Sequence, residues 1–376
     1  MKLAALGDLF LGDQLAYVGC GVRSYCDQNG YDHLFDGISP ILKRHDFVVA
    51  NLESVLSQAR EDEPDSLHRV LNRGAPRAAI SIKNAGITLL TLANNHIFDY
   101  GRRGVDDTVA ALDAAGLAHC GTTHRSIHVH RHKGRSYAFL SWSLVPDGAL
   151  EKRAYNFTEN LEPIIAELRQ ANAIADKRIL SLHAGNEFVG QPSQEFQQLC
   201  HRLVDAGADI ILGHHPHVLQ PVERYKHGLI AYSLGNCIFE SWEPECCTGM
   251  VLGVSIEDPA LWEPTFFHID QKSFSPTPIT DAKRLRHLAL QVSSPKPLPK
   301  DTYLAIVRDR RTQYRKAALL HGVRNLRRMK WRGQFLRLAI GRLNFLWSIR
   351  RSEKRDPNAV YMSRRHLQRL QSREDL

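Results

Sequence analysis

Five apolar runs in this 376-residue chain each end in residues that can hold a metal ion or move a proton. Asp8 follows the first run, and Asn51 and Glu53 end the second, in Val-Val-Ala-Asn-Leu-Glu. Asn94, Asn95 and His96 follow Leu-Leu-Thr-Leu-Ala, and His183 ends Ile-Leu-Ser-Leu. His214, His215, Pro216 and His217 follow Ile-Ile-Leu-Gly. Each position has an ordinary alternative. An Asp or Asn after a strand is commonly a turn or helix cap, and a single His such as His183 is commonly an interior histidine with a satisfied ring. His215 and His217, two residues apart around a proline, can both point to one side of an extended turn. Taken together, the donors are imidazole, carboxylate and amide with no thiolate. That set suits Mn, Fe or Zn with open coordination positions and argues against a structural cysteine–zinc site. A carboxylate able to bridge two ions, with histidines beside it, is what two-metal hydrolysis requires.

The elements that must position these groups are strands alternating with helices. Strand-like runs cover Lys2–Gly7, Phe47–Leu52, Ile87–Ala93, Tyr137–Trp142, Arg178–His183, Asp209–Gly213, Leu229–Leu234 and Met250–Ile256. Helical patterns cover Gly101–Ala115, Glu159–Ala175 and Ser193–Ala206, with Gly116 and Gly207 just past two of their ends. The alternation predicts an α/β fold with strands buried between helical layers. In such sheets ligands bind beyond the carboxyl ends of the strands, where the polar residues fall. Ala59–Leu67 is acidic and polar and reads as an exposed loop. Gln291–Asp301, rich in proline, reads as a linker. The expected division is a domain over 1–275, a linker over 276–300 and a basic helical extension over 301–376.

The extension holds 20 Lys/Arg and 6 Asp/Glu, leaving 29 basic and 34 acidic residues in the first 300. A mildly acidic body thus carries a strongly basic tail. The seven cysteines form no CxxC pair, which reads as reduced intracellular thiols. The N-terminus runs straight into a strand without an apolar signal core, and no window has eighteen uninterrupted apolar residues. A cytoplasmic location is the expectation.

Six stretches carry a family resemblance: Gly-Asp-Leu-Phe-Leu-Gly (7–12), Ala-Asn-Leu-Glu-Ser (50–54), Leu-Ala-Asn-Asn-His-Ile-Phe-Asp-Tyr-Gly (92–101), His-Ala-Gly-Asn-Glu-Phe (183–188), Gly-His-His-Pro-His-Val-Leu-Gln-Pro-Val-Glu (213–223) and Tyr-Ser-Leu-Gly-Asn (232–236). In this order they resemble the bacterial capsule-synthesis CapA family, linked to poly-γ-glutamate capsules. The resemblance spans residues 1 to about 240. It implies a calcineurin-like metallophosphoesterase fold, a layered αββα sandwich, with two divalent ions. It also implies roles. Asp8 would be a ligand of the first ion, joined by His217 and Asn51, and Glu53 would bridge. Asn95, His183 and His215 would hold the second ion. His96 would be the general acid, oriented by Asp99. Phe10 departs from the wider superfamily, whose first motif carries histidine there, so the first ion is expected to bind more weakly. Gly235 and Asn236 would line the mouth of the site or simply form a turn.

The implied function is metal-dependent phosphoester hydrolysis, on a small or polymeric substrate, in capsule or envelope polymer synthesis. Phe10 and the basic tail support a different reading, a non-catalytic metal-binding assembly or export factor for an anionic polymer. Carbonyl chemistry on the polymer itself is a third. Within 324–351, polar residues Arg337, Gly341, Asn344, Ser348 and Arg351 form one stripe of a helix that is otherwise largely apolar. Such a helix either lies at an anionic membrane surface, peripheral to the inner face, or packs on the enzyme body, a second subunit or capsule machinery. No nucleic-acid motif accompanies the charge.

Overall fold

The computed structural model describes residues 1–58, 70–147 and 153–329, with the single positions 333, 336 and 340. All eight apolar runs contain strands. In chain order the strands are β1 (Lys2–Leu9), β2 (Phe47–Leu52), β3 (Val55–Leu56), β4 (Arg73–Gly74), β5 (Leu89–Thr91), β6 (Ala118–Cys120), β7 (Ile127–His132) and β8 (Arg135–Ser143). They continue as β9 (Lys177–His183), β10 (Ile210–His214), β11 (Val222–Tyr225), β12 (Gly228–Ala231), β13 (Asn236–Ile238), β14 (Thr248–Ser255), β15 (Trp262–Ile269) and β16 (Pro276–Pro278). The α-helices are α1 (Val22–Asn29), α2 (Ser39–Leu42), α3 (Ala78–Asn84), α4 (Gly101–Ala115), α5 (Glu162–Asn172), α6 (Gln194–Asp205), α7 (Ala282–Gln291) and α8 (Lys300–Asn325).

Two sheets result. The first runs β16-β15-β14-β1-β2-β5-β6, with β13 beside the end of β1, and the second runs β11-β12-β10-β9-β8-β7. The central strands of each are parallel, which explains their unbroken apolar runs: both faces are covered. Strand alternation then sorts the side chains. Leu3, Ala5, Val49 and Leu89 of the first sheet meet Phe139, Ile179, Ile210 and Leu212 of the second. Ala4, Leu6, Val48 and Ala50 face outward onto Ile82 of α3 and Val105 and Leu112 of α4. Leu140, Leu180 and Ile211 face Ile164 and Leu168 of α5 and Leu203 of α6. The order of layers is helix, sheet, sheet, helix, the expected αββα sandwich. Helix ends follow local chemistry. Ser193 caps α6 by accepting from the Phe196 N–H at 3.1 Å, and Gly116 stops α4 at φ 66°.

The expected linker over 276–300 is corrected. β16 pairs with β15, and α7 sends Leu285 and Leu288 into the core between the sheets, followed by Val292. These three lie at i, i+3 and i+7, an apolar stripe obscured in the sequence by the Lys and Arg around it. The coil that follows is short and pinned, its Lys296 N–H donating to Gln191 at 2.9 Å. The body therefore extends to Val292, and α8 packs on it through Tyr303 and Val307 against Val189. The acidic loop expected at Ala59–Leu67 lies outside the described residues, as does most of the amphipathic helix expected at 324–351. Among the described residues no helix is long and apolar enough to cross a membrane.

Candidate metal centre

Register brings the polar strand ends together. Pairing sets Asp8 beside Asn51, Asn51 beside Thr91, and His183 beside His214. The turn ahead of β13 crosses so closely behind β1 that a Cβ on Gly7 would sit 1.9 Å from the Gly235 carbonyl oxygen. Only glycine fits before Asp8. The β1–β2 register also shifts between Leu6 and Asp8, re-aiming the carboxylate at the sheet end. After β10 the chain adopts left-handed backbone at His215 (φ 94°) and His217 (φ 59°). This is not the extended turn expected from the sequence. Left-handed backbone at two bulky residues costs free energy, and here it turns both imidazoles into the same buried space.

Asp8 is fully buried. Its Oδ1 accepts from the Asn51 amide at 2.8 Å and lies 3.1 Å from His214 Nδ1. Its Oδ2 accepts from the His215 N–H at 3.3 Å and lies 3.5 Å from His217 Nδ1. Burial alone would raise this carboxyl, but His214, then His217 and His183, outweigh it and hold it well below the carboxylate range. Glu53 is its opposite. It too is fully buried, yet neither carboxylate oxygen has a hydrogen-bond partner. Burial, then Asp8, pushes its carboxyl well above the ordinary value. The nearest imidazoles are His183, 3.4 Å from one oxygen, and His217, 3.8 Å from the other.

Three overlapping sets of side chains offer ligand atoms within 4.8 Å of one another: Asp8, Glu53 and His217; Glu53, His183 and His215; Glu187, His215 and His217. Asn95 joins the second set, its Oδ1 lying 2.7 Å from His183 Nε2. Burial depresses His183, and His215 as well, the latter to about 4. Both rings are therefore neutral at pH 7, the form that binds metals. An isolated buried carboxylate with no hydrogen bond is costly. A cation between Glu53 and these neutral imidazoles removes that cost, so the residues present fit divalent ions.

His96 and Asp99 sit at the rim rather than among the ligands. His96 Nδ1 lies 2.8 Å from Asp99 Oδ2, and the His96 side chain is 31% exposed. Burial lowers the His96 pKa, but Asp99 outweighs it and the net shift is upward. Asn51 has both ends of its amide engaged, donating to Asp8 and accepting from Asn94 at 3.2 Å. That placement braces Asp8. Asn236 does not line a mouth. It is buried, with Oδ1 3.0 Å from His217 Nδ1, and it donates to the His217 and Cys246 carbonyls. Phe10 is buried beside Phe239, ring centroids 5.4 Å apart, and edge-on to His96 at 6.1 Å.

Sequence reasoning missed Glu187 as a donor and the positioning roles of His214 and Asn94. Glu187 follows no strand directly. Its one signal is the loop it shares with His183, four residues on. His201 stands outside the centre, half-buried, stacked on Tyr225 and 3.1 Å from Glu223.

A family model described as "Bacterial capsule synthesis protein PGA_cap" matches residues 2–241. Capsule biosynthesis protein CapA of Bacillus anthracis is 28% identical over 295 residues, covering 75% of this chain and 70% of that protein. PGA biosynthesis protein CapA of Bacillus subtilis is 31% identical over 242 residues, covering 61% of this chain and 62% of that one. Among solved structures, a phosphatase from Mycoplasma pneumoniae aligns with TM-score 0.44 at 14% identity, over 76% of this chain and 96% of the other. With a family match over most of its length, in a fold that gathers the matched motifs at one sheet end, the chain belongs to the bacterial capsule synthesis (PGA_cap) family.

Proposed function

We propose that this chain is a metal-dependent hydrolase of the phosphoester type, acting in the synthesis of a capsular or envelope polymer such as poly-γ-glutamate. The observation that carries the reading is Glu53, buried without a hydrogen bond to either oxygen, between Asp8 and His217 on one side and His183 and His215 on the other. Asp8, Glu53 and His217 would hold one ion, and Glu53, Asn95, His183 and His215 a second, with Glu187 available beside His215 and His217. Mn, Fe and Zn suit these donors, and a bound pair would supply an activated water and neutralise charge on the substrate oxygens. The chain's own contributions are distinct. Asn51 and His214 keep Asp8 ionised and aimed, and Asn236 holds the His217 ring. His96, its pKa raised against burial by Asp99, stands at the rim to hand a proton to a leaving oxygen. The basic segment 324–351 would meet the anionic polymer or a membrane surface.

The test is purification with Mn or Zn, metal analysis, and assay on aryl phosphodiesters and monoesters. Metal-dependent turnover lost in His96→Ala is expected. A protein that holds metal and turns over no phosphoester or polymer would overturn the reading. One observation favours a second reading, a metal-binding assembly factor without turnover: Phe10, buried at the edge of the centre, supplies no ligand where the superfamily has histidine. A capsule phenotype that survives His96→Ala but not deletion of 301–376 would decide for it.

A further inference from the structure

The matched family segment ends at residue 241, yet α8, some sixty residues later, forms a wall of the candidate centre. Tyr314 stacks on Phe188 at 3.8 Å, and Phe188 stacks on His217 at 6.2 Å. On its other side Tyr314 meets Trp242 at 4.6 Å. Arg310 ties the helix to this wall, donating from Nε to the Phe188 carbonyl at 2.9 Å and pairing with Glu245. At its far end the helix donates from Asn325 to the Ala16 carbonyl at 3.3 Å.

Arg311, the next residue, is placed differently. It is half-buried and reaches the loop that carries His183 and Glu187, where its Nη2 makes one long hydrogen bond, 3.4 Å, to Asn186. Its Nε is buried with no partner. A guanidinium presents five donors in a fixed fork shaped for carboxylate and phosphate. Here the fork stands against the residue next to Glu187, with most of its capacity unspent. Tethering α8 does not require it, because Arg310 already does that.

We propose that Arg311 is a specificity-determining residue, which receives an oxyanion of the substrate, phosphate or carboxylate, next to the metal centre. The proposal rests on the hydrolase reading for the word substrate, but its test does not. Calorimetric titration with inorganic phosphate and with glutarate, on the full chain both metal-loaded and chelator-treated, separates the two anion sources. At least one of them is expected to bind, and Arg311→Ala to weaken it by on the order of tenfold or more, as loss of a charge-assisted contact does. Arg311→Lys should keep part of the affinity, and both variants should melt within about 2 °C of the parent. Arg310→Ala is the contrast, since it should lower thermal stability more than it lowers anion affinity. Equal anion affinity in parent and Arg311→Ala overturns the proposal, as does a parent that binds neither anion. If turnover is also present, KM for an anionic phosphodiester rises in Arg311→Ala with little change in kcat. If anion binding depends on Arg311 and no turnover exists, the hydrolase reading falls while this inference stands.

Discussion

On one side of Glu53 lie Asp8 and His217; on the other lie His183, His215 and Asn95. The first side has the Asp8 carboxylate with the His214 and His217 rings against it, and an aromatic wall of Phe10 and Phe239 closes it, Phe239 standing 4.7 Å from the His217 ring. The second side has two imidazoles, neutral at pH 7, and an amide. Asp8 is braced by three neighbours, while His215 keeps an unpartnered buried Nδ1. The two halves are prepared by different means. Protein hydrogen bonds compensate most of the charge on the Asp8 side. The second side, with Glu53, is left for a cation to compensate. The second half should therefore fill first and hold more tightly.

The largest effect should come from removing the residue the halves share. Glu53→Gln should abolish binding of the second ion and lower turnover on the order of a thousandfold, ~4 kcal/mol in the barrier. Metal analysis and kinetics check this. The same change should stabilise the metal-free protein. A raised carboxyl pKa contributes stability that is complete below the unfolded value and is lost as pH rises through the folded one. Above the unfolded value the buried carboxyl is therefore a liability, and the neutral amide removes it. The melting temperature should rise by roughly 2–4 °C per kcal/mol relieved, in chelator only.

Next in size is His215→Ala, expected to cost on the order of a hundredfold, ~3 kcal/mol, by emptying the second side. His217→Ala should cost less, because the first side is the weaker. A reversed order would make the first side the tighter one. Phe10→His probes the same asymmetry from the other direction. An added imidazole should tighten the first ion on the order of tenfold, about 1.4 kcal/mol, read by competition with a chelating dye. It should also cost roughly 1–3 kcal/mol of stability in the metal-free protein, because a polar ring then sits against Phe239.

How much of this was legible in the sequence follows from what makes each feature local or distant. Parallel strands announce themselves, since both faces are apolar over a continuous run, and the strand-end position of Asp8, His183 and His215 came with them. The contacts of Asn51 were not legible, because its type and position suit a ligand and a brace for Asp8 equally well. Only the pairing of β2 with β1 and β5 shows both ends of its amide occupied. Glu187 was missed because a loop carries it back to the centre. α7 was missed because Lys283, Arg284 and Arg286 disguise a three-residue apolar stripe. The wall made by α8 is a contact between residues more than a hundred positions apart, and no local pattern in a basic helix encodes it.

The smallest effect concerns the rim, where His96 and Asp99 meet solvent and serve neither half preferentially. Burial works against a charged His96, and Asp99 reverses that and raises its pKa. In Asp99→Asn the reversal is lost, so the His96 pKa falls. A proton donor must be charged before it can act, so the alkaline limb of the kcat profile should move to lower pH. On that alkaline side turnover should fall, by less than a lost general acid costs. Lowering the pH should recover most of it. His96→Ala should show no such recovery, because no donor remains to protonate. A loss in Asp99→Asn that is flat with pH would mean that Asp99 only positions the loop, through its 2.9 Å bond from Asn72. A loss confined to the alkaline side ties it to the proton on His96.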